Sequence, residues 1–253
     1  MQIYQFLLII LVLYLISCYY FTRGFFLTKY ELKNINENTH NLTAKYDQLI
    51  YIIIDGLRFD FTLYNDTSGN KKQLYENNLP HIHDLLLNNS NNTRLFEFHA
   101  DAPTVTMQRL KALTTGTLPT FIDFKDNFHS SIIEEDNLID QLFLKHKKMI
   151  QFGDDTWFNL YPKQFKQYYA YPSFNVKDLH TVDNGILNNL PNYLKNHHQW
   201  DVLIAHFLGV DHIGHTYSPL HIEMQYKLKQ MNQMIKNITQ YIDQNKENKN
   251  ILL

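Results

Sequence analysis

Six consecutive apolar residues, Leu49 to Ile54, four of them isoleucine, run straight into Asp55-Gly56. A short run this uniformly apolar reads as a strand buried on both faces, which belongs in the middle of a parallel sheet packed between helices. Such a strand delivers Asp55 to the carboxyl-terminal edge of the sheet, where open α/β folds bind their ligands. An aspartate there has two readings: a cap for the next helix through its carboxylate, or a metal ligand.

A second long apolar run, Trp200 to Val210, leads into Asp211-His-Ile-Gly-His215 and reads as another buried strand with Asp211 at its end and His215 four residues on. Between the two, Thr93 to His99 alternates enough to be a strand and feeds the Thr-rich turn Pro103-Thr-Val-Thr106. Good helix formers follow from Gln108 to Leu113 and stop near Gly116. Thr104 or Thr106 can cap that helix, and the backbone N–H groups of a helix N-terminus also favour an anionic phosphate. These three exits are expected to meet at one place.

The remaining pattern alternates between helix and strand. Phe59 to Asn70 reads as a loop with a turn at 68 to 70, and Leu74 to Leu87 has helical spacing, with Pro80 inside it and His81 and His83 solvated or capping. Helices are expected at 136 to 145, 178 to 194 and 222 to 242, the last with Met224, Leu228, Met231, Ile235, Ile238 and Ile242 on one face. Lys148 to Phe152 is a short strand whose exit carries Asp154 and Asp155, read as caps for a helix at Trp157. Ile251 to Leu253 opens one more strand.

Composition narrows the chemistry. The 253 residues can bury a sizeable core in one domain, and a net charge of -2 gives no reason to expect a nucleic-acid partner. With Cys18 the sole cysteine, a disulfide framework and a cysteine zinc site are excluded, so any metal is held by Asp, His and hydroxyl oxygen.

Ile3 to Phe21 holds nineteen residues without a charge, enough to cross about 30 Å of hydrocarbon as a helix. No small-x-small cleavage site follows, so residues 1–22 read as an uncleaved signal anchor, 23–46 as a polar stem and 47–253 as the folded domain. Arg23 and Lys29 follow the helix, and the positive-inside rule taken alone puts the domain in the cytosol. Acceptor sequences for N-glycosylation at Asn41, Asn65, Asn88, Asn91 and Asn237 favour the lumenal side instead.

The segments IIIDGLRFDF, APTVTMQRLKALTTGTLPTF, FGDDTW, SFNVKD, TVDNGI and WDVLIAHFLGVDHIGH together resemble the GPI ethanolamine phosphate transferases, most closely those of class O, the third transferase of GPI-anchor synthesis. The resemblance covers roughly residues 48 to 242. It implies membership of the alkaline phosphatase superfamily: an α/β fold with a mixed, largely parallel sheet between helices, here incomplete, behind an N-terminal transmembrane helix. Two zinc ions are implied, with Asp55 and Thr106 at one and Asp211 and His215 at the other. Thr106 matches the position of the nucleophilic hydroxyl, with Thr104 as the alternative register.

The implied reaction moves phosphoethanolamine from phosphatidylethanolamine to a mannose hydroxyl of a GPI precursor through a Thr106 intermediate, in the endoplasmic reticulum lumen, with a small membrane partner subunit. The family's next strand carries an Asp-His pair in Gly-Asp-His-Gly, and a later His completes the second metal; this sequence stops at Leu253 ahead of both. The alternatives are therefore a catalytically incomplete fragment or remnant and a generic metal-dependent phosphodiesterase of the same superfamily. Two donors per metal fall short of the three a catalytic zinc takes. On that count the chain by itself is expected to bind zinc weakly.

Overall fold

The two long apolar runs pair with each other. In the computed structural model, which describes residues 2–25, 44–66, 73–102, 104–118, 132–245 and 250–253, Leu49 to Ile54 lies parallel to Val202 to Phe207, residue against residue. Residues 26–43 of the polar stem, with the acceptor at Asn41, the turn at 68–70 and Pro103 lie outside the described residues.

The chain divides into two compact units: Met1–Ile35 with Ala100–Leu138, and Asn36–His99 with Ile139–Leu253. The first contains α1 (Gln2–Phe25), whose apolar span Ile3–Phe25 has no buried residue. At 1.5 Å per residue those 23 residues reach roughly 35 Å. That length and composition are compatible with a membrane anchor.

The second unit is built on a five-stranded sheet of β1 (Gln48–Ile54), β2 (Met149–Asp154), β3 (Gln167–Tyr171), β4 (Val202–Phe207) and β5 (Ile251–Leu252), in the order β3-β2-β4-β1-β5. Every pairing is parallel, so the sheet described is wholly parallel where a mixed one was expected. β2 and β4 are buried at all six positions.

The helices of this unit cover the sheet. They are α2 (Phe59–Thr62), α3 (Pro80–Asn88), α5 (Leu138–Leu144, entered from the first unit, which also holds α4, Thr106–Thr115), α6 (Thr156–Leu160), α7 (Thr181–Lys195), α8 (Gly209–Thr216) and α9 (Ile222–Asn245). α7 lies on β2, β3 and β4, and α9 packs on α3, α7 and α8. The buried stripe of α9 is Met224, Leu228, Met231, Met234 and Ile238, at the three-and-four spacing that keeps side chains on one face. Each such apolar side chain stabilises the fold by about 1.5–3 kcal/mol when fully buried.

Some expectations shift. Residues 93–99 form no strand and their Phe96 and Phe98 are exposed; alternation alone does not make a strand when no neighbouring strand takes its backbone groups. The helix expected from Leu74 begins at Pro80, because proline has no N–H to continue a helix and fits the first helical position. The supposed loop after Arg58 opens with the single turn α2. β3 is an addition to the expected set. β4 ends at Phe207, so Asp211 sits in the first turn of α8 and not at a strand end.

Candidate active site

The exit of β1 is held against the start of α8 by a glycine. Gly56 has φ +68°, and a β-carbon there would stand 2.8 Å from the Asp211 Cα, so only glycine lets the two segments approach this closely. The Asp55 N–H continues the ladder onto the Phe207 carbonyl at 2.9 Å, and its carboxylate Oδ1 accepts the Gly56 N–H at 2.9 Å. Asp55 thus reaches the sheet edge beside Asp211, as the sequence implied.

A buried charge pair sets the start of α8. Asp183, in the first turn of α7, accepts the Leu208 and Gly209 N–H groups on Oδ1 at 3.0 and 3.1 Å. Its Oδ2 is 3.0 Å from Lys227 Nζ, and both side chains are no more than 2% exposed. Lys227 also donates to Gln230 Oε1 at 2.9 Å. A carboxylate on the first backbone N–H groups of a helix satisfies donors that otherwise lack partners and suits the helix dipole. Gly209 leaves room for the pair: a β-carbon there would lie 2.3 Å from Asp183 Oδ2.

α8 carries the two residues of the Asp-x-x-x-His motif one turn apart, with His215 Nε2 3.5 Å from Asp211 Oδ2. Burial, with the charge of Asp55 adding to it, pushes the Asp211 carboxyl above the usual carboxylate range; the rings of His215, His212 and His206 oppose the shift. A buried carboxylate with a second carboxylate beside it is an arrangement a cation relieves. His212, between them in sequence, is buried and its Nδ1 bonds the Asp178 carbonyl at 2.7 Å, so it braces α8 and does not join the pair.

Below Asp55, His206 at the end of β4 is 1% exposed, with Nε2 3.8 Å from Asp55 Oδ2 and Nδ1 3.3 Å from Asp154 Oδ2. Trp157 donates its indole N–H to Nδ1 at 3.2 Å. Asp154 is fully buried and takes the Thr156 N–H on Oδ1 at 2.8 Å, which is the capping role expected of it at α6. Asp155 instead accepts the Ser173 hydroxyl at 2.6 Å. His206, Asp183 and Lys227 are the neighbours that sequence reasoning did not single out as site residues. The signal of His206 and Lys227 was a polar side chain inside an otherwise apolar run or stripe.

Thr106 belongs to the first unit, where it opens the ten-residue helix α4 and is half-buried. Val105 is the N-cap, so neither Thr104 nor Thr106 holds the cap position allowed for them, and Thr104 is exposed. Gly116 ends the helix in the left-handed conformation with its N–H on the Ala112 carbonyl at 2.9 Å. His81 and His83 take no part: His81 Nε2 pairs with the Thr239 hydroxyl at 2.7 Å, and His83 stacks on Tyr64.

Asp55, Asp211 and His215 supply the oxygen and imidazole donors zinc takes, so they fit the metal in kind. They do not make a complete set: among the described residues no group of three or more His, Cys, Asp or Glu side chains is placed to hold a metal ion.

No protein-family model matches the chain. Among curated proteins it is 42% identical over 242 residues to GPI ethanolamine phosphate transferase 3 of Saccharomyces cerevisiae, covering 94% of this chain and 24% of that protein. It is 40% identical over 245 residues to the human GPI ethanolamine phosphate transferase 3, catalytic subunit, covering 88% of this chain and 22% of that one. A GPI ethanolamine phosphate transferase 2 of Schizosaccharomyces pombe matches at 37% over 220 residues. The chain is a homologue of the GPI ethanolamine phosphate transferases. Within that class its likeness runs to the third transferase, at 40–42% identity over about 90% of its length. It spans about a quarter of the length of the third transferases it matches.

Proposed function

We infer that the chain carries the phosphoethanolamine-transferring site of GPI-anchor synthesis: it takes the headgroup of phosphatidylethanolamine and passes it to a mannose hydroxyl of a GPI precursor in the endoplasmic reticulum lumen. The observation that carries this reading is the match to third transferases along nearly the whole chain, including the segments that hold Asp55, Thr106, Asp211 and His215. In the first step the Thr106 oxygen attacks phosphorus, the bond to the diacylglycerol oxygen breaks, and diacylglycerol leaves with a proton. In the second, the mannose hydroxyl attacks the phosphorus of phosphoethanolamine-Thr106, and the Thr106 hydroxyl is regained.

Asp55, Asp211 and His215 would contribute ligands to zinc, which when bound makes a hydroxyl a stronger nucleophile and neutralises charge on the phosphoryl oxygens. The start of α4 places backbone N–H groups beside Thr106, a setting that favours a phosphate. Exposed Asn65, Asn88, Asn91 and Asn237 support a lumenal domain, and α1 supports its anchoring in the membrane. The words "catalytic subunit" in the human relative's name support a membrane partner subunit for this chain as well.

A chimera tests the reading. Residues 1–253 replace the matching quarter of the Saccharomyces cerevisiae relative, and transfer of labelled phosphoethanolamine to GPI precursors is measured in membranes. The chimera is expected to transfer, and its Asp211→Asn form to lose transfer while remaining in the membrane at normal level. Full transfer by the Asp211→Asn form overturns the assignment.

A further inference from the structure

We propose that Arg109 binds the non-bridging oxygens of the phosphoryl group that Thr106 carries. This rests on the reading of Thr106 as the nucleophile and deepens it by assigning the group that holds the phosphate. α4 opens at Thr106 and Arg109 follows three residues on, which places the two on one side of the helix, about 4.5 Å apart along its axis. Helical side chains lean toward the N-terminus, so an arginine at this spacing covers the turn that Thr106 begins. Gln108 lies on another side of the helix, and the assignment is confined to Arg109.

The guanidinium is the unmatched charge of α4. Its Nε and Nη2 are buried without a hydrogen-bond partner, and Arg109 forms no ion pair among the described residues. Each of the other three arginines has acceptors within the chain: Arg23 the Tyr19 hydroxyl, Arg58 the Asp60 carboxylate, and Arg94 the Ser90 and Thr93 carbonyls. Two residues further along α4, Lys111 meets Glu135 at 2.8 Å. Burying a cation with no counter-charge costs stability, and that cost is removed when an anion arrives. The donor phospholipid and phosphoethanolamine-Thr106 are both phosphodiesters, with one negative charge shared by two non-bridging oxygens. A guanidinium fork matches such a pair with two parallel N–H donors. The charge stays at one through both steps, so one arginine serves donor, intermediate and product alike. Arg109 as a whole is half-buried, so the fork swings to the ligand about its own side-chain bonds with α4 unmoved.

Removing the arginine is expected to spare stability while transfer is lost, a split that a structural arginine would not produce. The full 253-residue chain in detergent micelles is melted with and without glycerophosphoethanolamine, the soluble headgroup diester. The parent's melting temperature is expected to rise with the diester. Arg109→Met is expected to melt no lower than the parent without it and to show no rise with it. A parent that does not respond, an Arg109→Met form that responds like the parent, or one that melts below the parent with no diester present each overturns the proposal. Transfer by the chimera is expected to fall about 10²–10³-fold in Arg109→Met, and less in Arg109→Lys, which keeps the charge but not the fork. Thr106→Ala in the same chimera separates the two levels. Transfer lost in Thr106→Ala but at the parental rate in Arg109→Met leaves the nucleophile standing and Arg109 misassigned. Transfer surviving in Thr106→Ala sinks the reading of Thr106 and the proposal with it, whatever the melts show.

Discussion

Gly56 shows how much one residue carries. The sequence made Asp55 legible because an acid at the end of an apolar run has few uses, but the reason for the glycine after it lies in a long-range contact with Asp211. Nothing local records that contact. Gly56→Ala combines a strained backbone with a clash against backbone, whereas Gly116→Ala meets open space at a similar φ of +71°. The first is expected to cost roughly 1–3 kcal/mol and clearly more than the second. Thermal melts of the two variants side by side check this, and equal losses would contradict the close approach. His206 was hidden for a related reason: a histidine inside an apolar strand has no meaning until the strand order puts it between Asp55 and Asp154.

Among the elements, those with a strong period were legible and those set by tertiary pairing were not. The 3.6-residue stripe of α9 and the apolar runs of β1 and β4 fall where expected, while β3 is a half-exposed edge strand of Gln and Tyr with no alternation to mark it. Lys227 lies within the buried stripe of α9, where a lysine reads as solvent-facing until Asp183 is seen across from it. Lys227→Met leaves a buried carboxylate unpaired and is expected to destabilise the chain by about 3–5 kcal/mol, with Asp183→Asn added to it restoring part of the loss. Chemical denaturation of the single and double variants measures the coupling, and simple additivity would contradict the pair.

The start of α7 gives a test by pH. Asp178 Oδ1 accepts the Thr181 and His180 N–H groups at 2.9 and 3.1 Å, and the hydrogen bonds from Thr181 hold its carboxyl below the usual carboxylate range. A depressed pKa means stability that is present above the unfolded value and is lost as pH falls through the folded one. Asp178→Ala is therefore expected to lower the melting temperature at pH 7, by a cap's worth of about 1 kcal/mol, and to make little difference at pH 2. An equal effect at both pH values would rule out the capping carboxylate.

At the scale of the molecule, the sequence declared an apolar anchor ahead of an α/β domain, and the described structure has α1 with no buried span and a parallel sheet covered by helices. The class of the sheet was readable from strand and helix alternation; its wholly parallel order was not, because strand order depends on which helices cross over which strands. Lumenal orientation predicts glycans on the exposed acceptors, so glycosidase treatment of the expressed chain is expected to shift its mobility, and an unshifted, cytosol-accessible chain would contradict it. The central claim is that Thr106 carries the headgroup between donor and acceptor, and the most direct measurement is fragment mass spectrometry of the chimera after incubation with labelled phosphatidylethanolamine in the absence of acceptor. The account predicts a phosphoethanolamine ester on Thr106 that disappears when acceptor is added; an ester on Thr104, or labelled product formed with no ester on either threonine, would contradict it.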